Sequence, residues 1–295
     1  MGAGRNVPLH GSNMCPFDTQ EKILLNHDFY YPEILLRPDY PGISRRKDRW
    51  QRQAIVMWLT GQGFTMRTEI QWLTARLFSV DARSGALMRV VSGLRKNGLL
   101  LSETFSLPTG ISPKFSFIRL SDTGKELLHE LGWPAYESEW ERMRRLHEKG
   151  NDQSRHTAAV LAFVYQARLR GWSAGVMPEL DAGHFVPDAL VEKYGESYYV
   201  EVELGEQKPS KWHNMARYQG VIALCGRTPE HRQKLLDEAK AAARKHNCPR
   251  LGTDLRTLFE KTDSPLWSER SGLQRNDPDI FNGIEKIFRG SGYQT

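Results

Sequence analysis

Three acidic residues lie on two neighbouring segments that both alternate in the manner of β-strands. In residues 198–204 the side chains alternate between two faces, so Glu201 and Glu203 share one face. If Tyr194-Gly195 forms a two-residue hairpin turn, Asp188 lies directly opposite Glu201 on that face. Facing like charges cost stability unless a cation lies between them. This arrangement therefore predicts a Mg²⁺ or Mn²⁺ ion held by the three carboxylates.

Basic residues just beyond these carboxylates complete the candidate catalytic set. Lys208 or Lys211, on the following helix, can bring a positive charge toward the carboxylates, and the sequence does not choose between them. Pro187 predicts an edge position or a bulge, because proline cannot donate to the strand ladder. A one-residue slip would turn Asp188 away, and alternating Glu and Val is also normal for a solvent-facing strand.

The segments around the carboxylates predict helices packed on a short mixed sheet. Apolar spacing predicts helices at residues 154–170, 212–221 and 229–245, and strand-like segments lie at 172–177, 185–191, 197–204 and 221–225. Beyond residue 262 the apolar spacing no longer predicts a helix or a strand.

The first half predicts three helices followed by a strand hairpin and a further helix. Residues 68–71 can act as a capping box for the second helix. The third helix buries Leu87, Val90, Val91 and Leu94 and ends at Asn97-Gly98. Strands are expected at residues 99–105 and 115–120.

This order of elements resembles the winged-helix family over residues 48–132, with Leu94-Arg-Lys-Asn-Gly98 and Leu120-Ser-Asp-Thr-Gly124 as the matching motifs. In that family the third helix enters the major groove, so the resemblance implies contact with double-stranded DNA. Winged helices also dock proteins, and this alternative stays open. The candidate DNA-binding residues project from the third helix, the wing tip or the basic start of the first helix: Arg45, Arg46, Lys47, Arg49, Arg83, Ser84, Arg89, Ser92, Lys96 and Lys114.

The second half resembles the PD-(D/E)XK nuclease superfamily over residues 154–225. The matching motifs are Pro187-Asp188 on one strand and Glu201-Val-Glu203 on the next, between two helices. The resemblance implies that Asp188 and Glu201 hold a divalent metal that activates water for phosphodiester hydrolysis. The family usually has Lys at the third position, and Glu203 stands there in this chain.

Both halves together, with Tyr218 on the helix after the carboxylates, resemble the replication-relaxation family of plasmids and mobile elements. The resemblance implies plasmid maintenance, transfer or regulation. The expected activity is that of a Mg-dependent DNA endonuclease. The alternative is a non-enzymatic transcription or replication regulator, or an assembly factor, with a degenerate nuclease fold.

Composition agrees with a nucleic-acid partner. The net charge of +6 and a pI near 9.2 attract polyanions. There is no run that could cross a bilayer and no export signal, so a cytoplasmic protein is expected, with duplex DNA, other mobile-element proteins and a second copy of the chain as partners.

The predicted fold is α+β, with an N-terminal winged-helix domain followed by a small mixed-sheet α/β domain of PD-(D/E)XK nuclease-like type. The predicted divisions are an extended arm (1–47), the winged helix (48–132), a connecting helix (133–153), the nuclease-like domain (154–262) and a tail (263–295).

Overall fold

The computed structural model describes residues 47–107, 114–146, 153–177, 186–205 and 209–271. Within these ranges the chain is a mixed α+β protein with a two-stranded and a six-stranded sheet. The predicted α+β class is therefore confirmed. None of the helices in these ranges is both long enough and apolar enough to cross a membrane.

Three helices, a hairpin and a fourth helix form the N-terminal part. They are α1 (Lys47–Gly61), α2 (Arg67–Leu77), α3 (Gly85–Lys96), β1 (Leu100–Ser106), β2 (Lys114–Leu120) and α4 (Asp122–Glu130). The predicted stripe of Leu87, Val90, Val91 and Leu94 is buried on α3. Ser84 caps this helix, since its hydroxyl accepts a hydrogen bond from the Leu87 N–H at 3.4 Å. The two strands pair antiparallel.

The start of α2 differs from the predicted capping box at Thr68. Its N-cap is Met66, which makes no side-chain capping hydrogen bond. Met66 instead forms an isolated bridge with Phe117 of β2, and the Thr65 hydroxyl donates to the Ile118 carbonyl oxygen at 3.0 Å. The capping prediction was wrong because pairing with the hairpin, and not a local side chain, fixes the first turn.

The C-terminal part contains the longer helices and the larger sheet. Its elements are α5 (Glu139–Leu146), α6 (Gln153–Leu169), β3 (Ser173–Val176), β4 (Ala189–Lys193), β5 (Glu196–Val202), α7 (Pro209–Gln219), β6 (Ile222–Gly226), α8 (Pro229–His246), β7 (Arg250–Asp254), α9 (Leu255–Glu260) and β8 (Glu269–Ser271). The strands lie side by side in chain order. β3, β4 and β5 pair antiparallel, β5, β6 and β7 pair parallel, and β8 is antiparallel to β7.

Helices cover both faces of the larger sheet. Val200 and Val202 of β5 belong to the buried cluster that contains α6. Tyr199, on the opposite face of the same strand, packs with Leu224 and the buried side of α7 and α8. The end of β5 therefore lies between two helical layers, where side chains from both can meet.

Pro187 does not occupy the edge or bulge position that was predicted for it. It precedes β4, which begins at Ala189, and β4 lies inside the sheet between β3 and β5. The prediction was wrong because the ladder starts beyond the proline, so the missing N–H is not needed there.

The small hairpin packs against the C-terminal part. Phe117 of β2 stacks on Trp140 of α5, with ring centroids 4.8 Å apart, and Phe115 meets Phe259 of α9 edge-on at 5.0 Å. These residues belong to the same buried cluster as α6 and the sheet. One face of the hairpin is therefore part of the shared interior.

A buried ionic group, here called the arginine cluster, joins α2, α5 and α6. It consists of Arg168, Glu69 and Glu139. The Arg168 guanidinium is 2.9 Å from the Glu69 carboxylate and 2.5 Å from that of Glu139, and it also donates to the Ala174 carbonyl oxygen. The exposed fractions of the three side chains are 1%, 3% and 9% in that order.

Candidate functional site

The hairpin that carries the acidic residues has the predicted register. Tyr194 and Gly195 form its turn with φ values of 53° and 82°, as a type I′ turn requires. Ala189 pairs with Val200, so the next position places Asp188 beside Glu201. The Val202 N–H donates to Asp188 Oδ2 at 2.9 Å.

Four residues, here called the carboxylate cluster, meet at the end of β5: Asp188, Glu201, Glu203 and Lys211. The three carboxylate residues are only 4%, 1% and 2% exposed in that order. The Lys211 ammonium group comes from the first turn of α7, lies 2.7 Å from Glu201 Oε2 and contacts Glu203 Oε1. The structure thus brings together the three predicted acidic residues and one of the two predicted lysines. Lys208, the other one, lies outside the described residues.

His156 of α6 also contacts this cluster. Its Nε2 lies 2.9 Å from Asp188 Oδ1, so each oxygen of Asp188 has a hydrogen-bond partner. Sequence reasoning interpreted His156 as an ordinary polar residue, because no metal-ligand spacing connects it to other residues. Only the packing of α6 against β4 and β5 brings it to the site.

Burial and mutual repulsion make the carboxylates unequal. Burial, followed by the neighbouring Asp188 charge, raises the pKa of Glu201 well above its usual value. Burial acts in the same direction on Asp188, but His156, Lys211 and the Val202 N–H outweigh it and hold its pKa well below the usual range. The surroundings of Asp188 therefore favour its charged form, whereas burial and the Asp188 charge oppose ionisation of Glu201.

The lysine and histidine are shifted toward their charged forms. Burial alone would lower the pKa of Lys211, but Glu201, Asp188 and Glu203 raise it above the usual value. Burial also opposes the charge on His156, and Asp188 outweighs it, so the His156 pKa is raised. The cluster thus combines a surplus of acid with cations from both helical layers.

The donor set of this cluster suits a hard divalent ion, because carboxylate oxygens are the ligands that Mg²⁺ and Mn²⁺ prefer. In the described part of the chain, however, no group of three or more His, Cys, Asp and Glu side chains has the arrangement of a metal site. The Lys211 ammonium group instead contacts both glutamates. The predicted ion therefore stays a prediction.

The candidate DNA-binding residues divide into three groups. Arg49, Arg83, Arg89, Ser92, Lys96 and Lys114 are exposed, as predicted. Ser84 is half-buried and its hydroxyl caps α3, so part of its hydrogen-bonding capacity is already used within the protein. Arg45 and Arg46 and the side chain of Lys47 lie outside the description.

One further arginine on α3 was missed by the sequence reasoning. Arg95 is exposed in the last turn of the helix, and its guanidinium donates to the Ser102 hydroxyl of β1 at 2.9 Å. Burial and the charge of Arg95 lower the pKa of Arg67, so Arg67 lies near Arg95. Its spacing could have identified it, because residues three apart share a helix face and Ser92 was already a candidate DNA-binding residue.

No family model, curated protein or solved structure matches this chain.

Proposed function

We propose that this chain is a DNA-binding protein of a mobile element or plasmid whose C-terminal part is a divalent-metal-dependent nuclease. The observation that carries the proposal is the meeting of Asp188, Glu201, Glu203 and Lys211 at the end of one strand. Three nearly buried carboxylates with one lysine are costly to maintain unless the site binds a further cation.

The element order supports this nuclease interpretation. A helix, an antiparallel three-strand unit, a helix and a parallel strand follow one another as α6, β3–β5, α7 and β6. Asp188 directly precedes β4, Glu201 lies on β5 and Glu203 directly follows it, so the acids meet at adjacent ends of neighbouring strands, as the resemblance to the PD-(D/E)XK superfamily implies. The family's usual lysine position is taken by Glu203, and Lys211 brings an ammonium group to the same place from α7.

Asp188, Glu201 and Glu203 would hold the metal ion in this mechanism. A bound Mg²⁺ or Mn²⁺ supplies Lewis-acid polarisation of the phosphate and lowers the pKa of a bound water. Val202 and His156 orient the Asp188 carboxylate through the two hydrogen bonds at its oxygens. The Lys211 ammonium group neutralises charge that develops on the phosphate.

The N-terminal part supplies duplex binding in this proposal. We assign α1–α3 and the β1–β2 hairpin to a winged helix with α3 as the recognition helix. Its exposed side carries Arg89, Ser92, Arg95 and Lys96, which suit contacts to phosphates and guanine edges. One face of the hairpin is buried, so we assign the groove contact to α3. From the hairpin we assign only the exposed Lys114 to contact with the phosphate backbone.

The nuclease proposal is tested by nicking of supercoiled plasmid DNA by the full chain. We expect nicking with Mg²⁺ or Mn²⁺, none with excess chelator, and none with Asp188→Asn. The matched control is Asp237→Asn, an exposed aspartate of α8, which should cleave at the wild-type rate. Persistent cleavage by Asp188→Asn would exclude the assignment.

A regulator without catalysis is the second candidate, because Lys211 already neutralises part of the charge on Glu201 and Glu203. It predicts salt-sensitive duplex binding with no metal-dependent cleavage. The Arg89→Ala and Lys96→Ala pair should weaken duplex binding and reduce the slope of log affinity against log salt by about two, while Lys240→Ala on α8 leaves it unchanged. If no salt-sensitive binding of duplex DNA is found, protein docking is favoured for both parts of the chain.

A further inference from the structure

Two histidines from neighbouring helices face each other away from the carboxylate cluster. His213 lies on α7 and His246 lies in the last turn of α8. Nδ1 of His213 and Nε2 of His246 are 3.4 Å apart, and the rings are inclined by 64° with centroids 5.5 Å apart. Both side chains are half-buried, so one side of the pair is open to solvent.

The separation of these nitrogens matches a long hydrogen bond and also the spacing of two imidazole ligands on one metal ion. Hydrogen bonds from a ring N–H have donor–acceptor distances of about 2.7–3.2 Å, shorter than this contact. Two imidazole nitrogens, each bound at about 2.0–2.1 Å to one tetrahedral ion, are about 3.3–3.4 Å apart. The observed 3.4 Å agrees with the second geometry.

The position of His246 also favours a cation. It lies at the carboxyl end of α8, an 18-residue helix, where the helix dipole is negative. Arg244 and Lys245 in the same turn are exposed, so water and salt screen their charges. Within the described ranges no third His, Cys, Asp or Glu joins the pair, so water would fill the remaining ligand positions.

We propose that His213 and His246 form a binding site for an imidazole-preferring transition-metal ion such as Zn²⁺, which connects α7 to α8. Imidazole ligands select Zn²⁺, Cu²⁺ and Ni²⁺, whereas carboxylates select Mg²⁺ and Mn²⁺. The chain would then hold two sites of different metal preference. Because α7 also carries Lys211, the bound ion would restrain the helix that completes the carboxylate cluster. The site does not depend on whether that cluster is catalytic.

The test is calorimetric titration of the full chain with ZnCl₂ in excess MgCl₂, which occupies any carboxylate site first. We expect one Zn²⁺ bound per chain, with at least about tenfold weaker affinity in His213→Ala and in His246→Ala. Loss of one imidazole removes one of only two protein ligands. His129→Ala, an exposed histidine of α4, is the matched control and should bind Zn²⁺ as the wild type does.

Two further measurements make the result decisive. Zn²⁺ should raise the thermal midpoint of the wild type and of His129→Ala but not that of His213→Gln, a variant that keeps a polar side chain of similar length. Unchanged Zn²⁺ affinity in both histidine variants would overturn the proposal. So would an equal loss of affinity in Asp188→Asn, since the ion would then lie at the carboxylate cluster.

Discussion

The arginine cluster and the carboxylate cluster are both buried and ionic, but their cations differ in exposure to solvent. In the arginine cluster one guanidinium meets two carboxylates and donates its remaining hydrogens to a backbone carbonyl. In the carboxylate cluster three acids meet one lysine and a histidine, and the lysine is 28% exposed. Every N–H group of the first cation has an acceptor and solvent does not reach it, whereas the cations of the second are partly open to solvent.

This difference separates a structural role from a functional one. A saturated, fully buried arginine holds its partners in place, and the loss of one partner leaves an uncompensated charge. Three carboxylates whose lysine partner is partly exposed can exchange that partner for another cation. We therefore expect substitutions in the arginine cluster to act on stability and those in the carboxylate cluster to act on metal binding and cleavage.

The largest effect is expected from Arg168→Leu. It leaves Glu69 and Glu139 buried without their cation, so the free energy of unfolding should fall by about 3–5 kcal/mol. Urea denaturation measures it. Arg145→Leu is the control, because Arg145 pairs with Glu137 at 2.8 Å while 57% exposed and should cost at most about 1 kcal/mol. Equal losses in the two variants would contradict a structural role for the cluster.

Lys211→Met should act mainly on cleavage. We expect nicking to fall about 100-fold, the size of effect seen when one charge-stabilising donor is removed from an active site. Its cost in unfolding free energy should be smaller than that of Arg168→Leu, because Lys211 is 28% exposed and Arg168 only 1%, so water can reach the place that the lysine leaves.

Added Mg²⁺ gives the same variant a second readout. The thermal midpoint of Lys211→Met should rise more with Mg²⁺ than that of the wild type, since the ammonium group no longer competes for the glutamates. Lys240→Met, at an exposed position of α8, is the control for both measurements. A Lys211→Met variant that nicks normally and gains nothing from Mg²⁺ would remove the functional distinction between the clusters.

The parts of the carboxylate cluster that the sequence predicted are those fixed by local rules. The Tyr194-Gly195 turn sets the hairpin register, and alternation places Glu201 and Glu203 on one face. The helix that follows delivers Lys211, although its sequence alone gave no reason to prefer Lys211 to Lys208. Each of these steps spans only a few residues, so a single sequence is enough to infer it.

The parts that were missed depend on contacts distant in sequence. His156 reaches Asp188 across 32 positions, and Arg168 reaches Glu69 across 99. β7 was not predicted because Leu251 is its only large apolar residue, and the strand is buried by its neighbours β6 and α8. No local pattern indicates such contacts, because tertiary packing alone creates them.

A pH dependence should distinguish the two clusters further. Burial raises the pKa of Glu69 to about 7, despite the attraction of Arg168, and the charge of Glu139 adds to the increase. The folded state then holds a proton on Glu69 that the unfolded chain releases near pH 4.5. The stability from this group is fully present below pH 4.5 and is lost as the pH rises toward about 7.

The expected loss between pH 4.5 and 8 is on the order of 3 kcal/mol, since one unit of pKa shift corresponds to about 1.4 kcal/mol. Urea denaturation across that range measures it. Glu69→Gln should reduce the decline by this amount and leave the part due to Glu201 and Glu203, whose pKa values are also raised, whereas Glu137→Gln at the exposed pair with Arg145 should keep all of it. A decline of the same steepness in Glu69→Gln would show that another group titrates there.

The smallest effect is expected at His156, a positioning residue that acts through Asp188. His156→Ala removes the hydrogen bond at Asp188 Oδ1 and should weaken the apparent affinity for Mg²⁺ in the nicking assay about tenfold, as outer partners of metal ligands typically do. The KM for DNA should not change. His156→Gln, whose amide can still donate to Asp188, should recover most of the affinity, and His129→Ala should behave as the wild type. Equal affinity in His156→Ala and the wild type would mean that the Val202 N–H alone orients the carboxylate, and that the histidine only packs beside it.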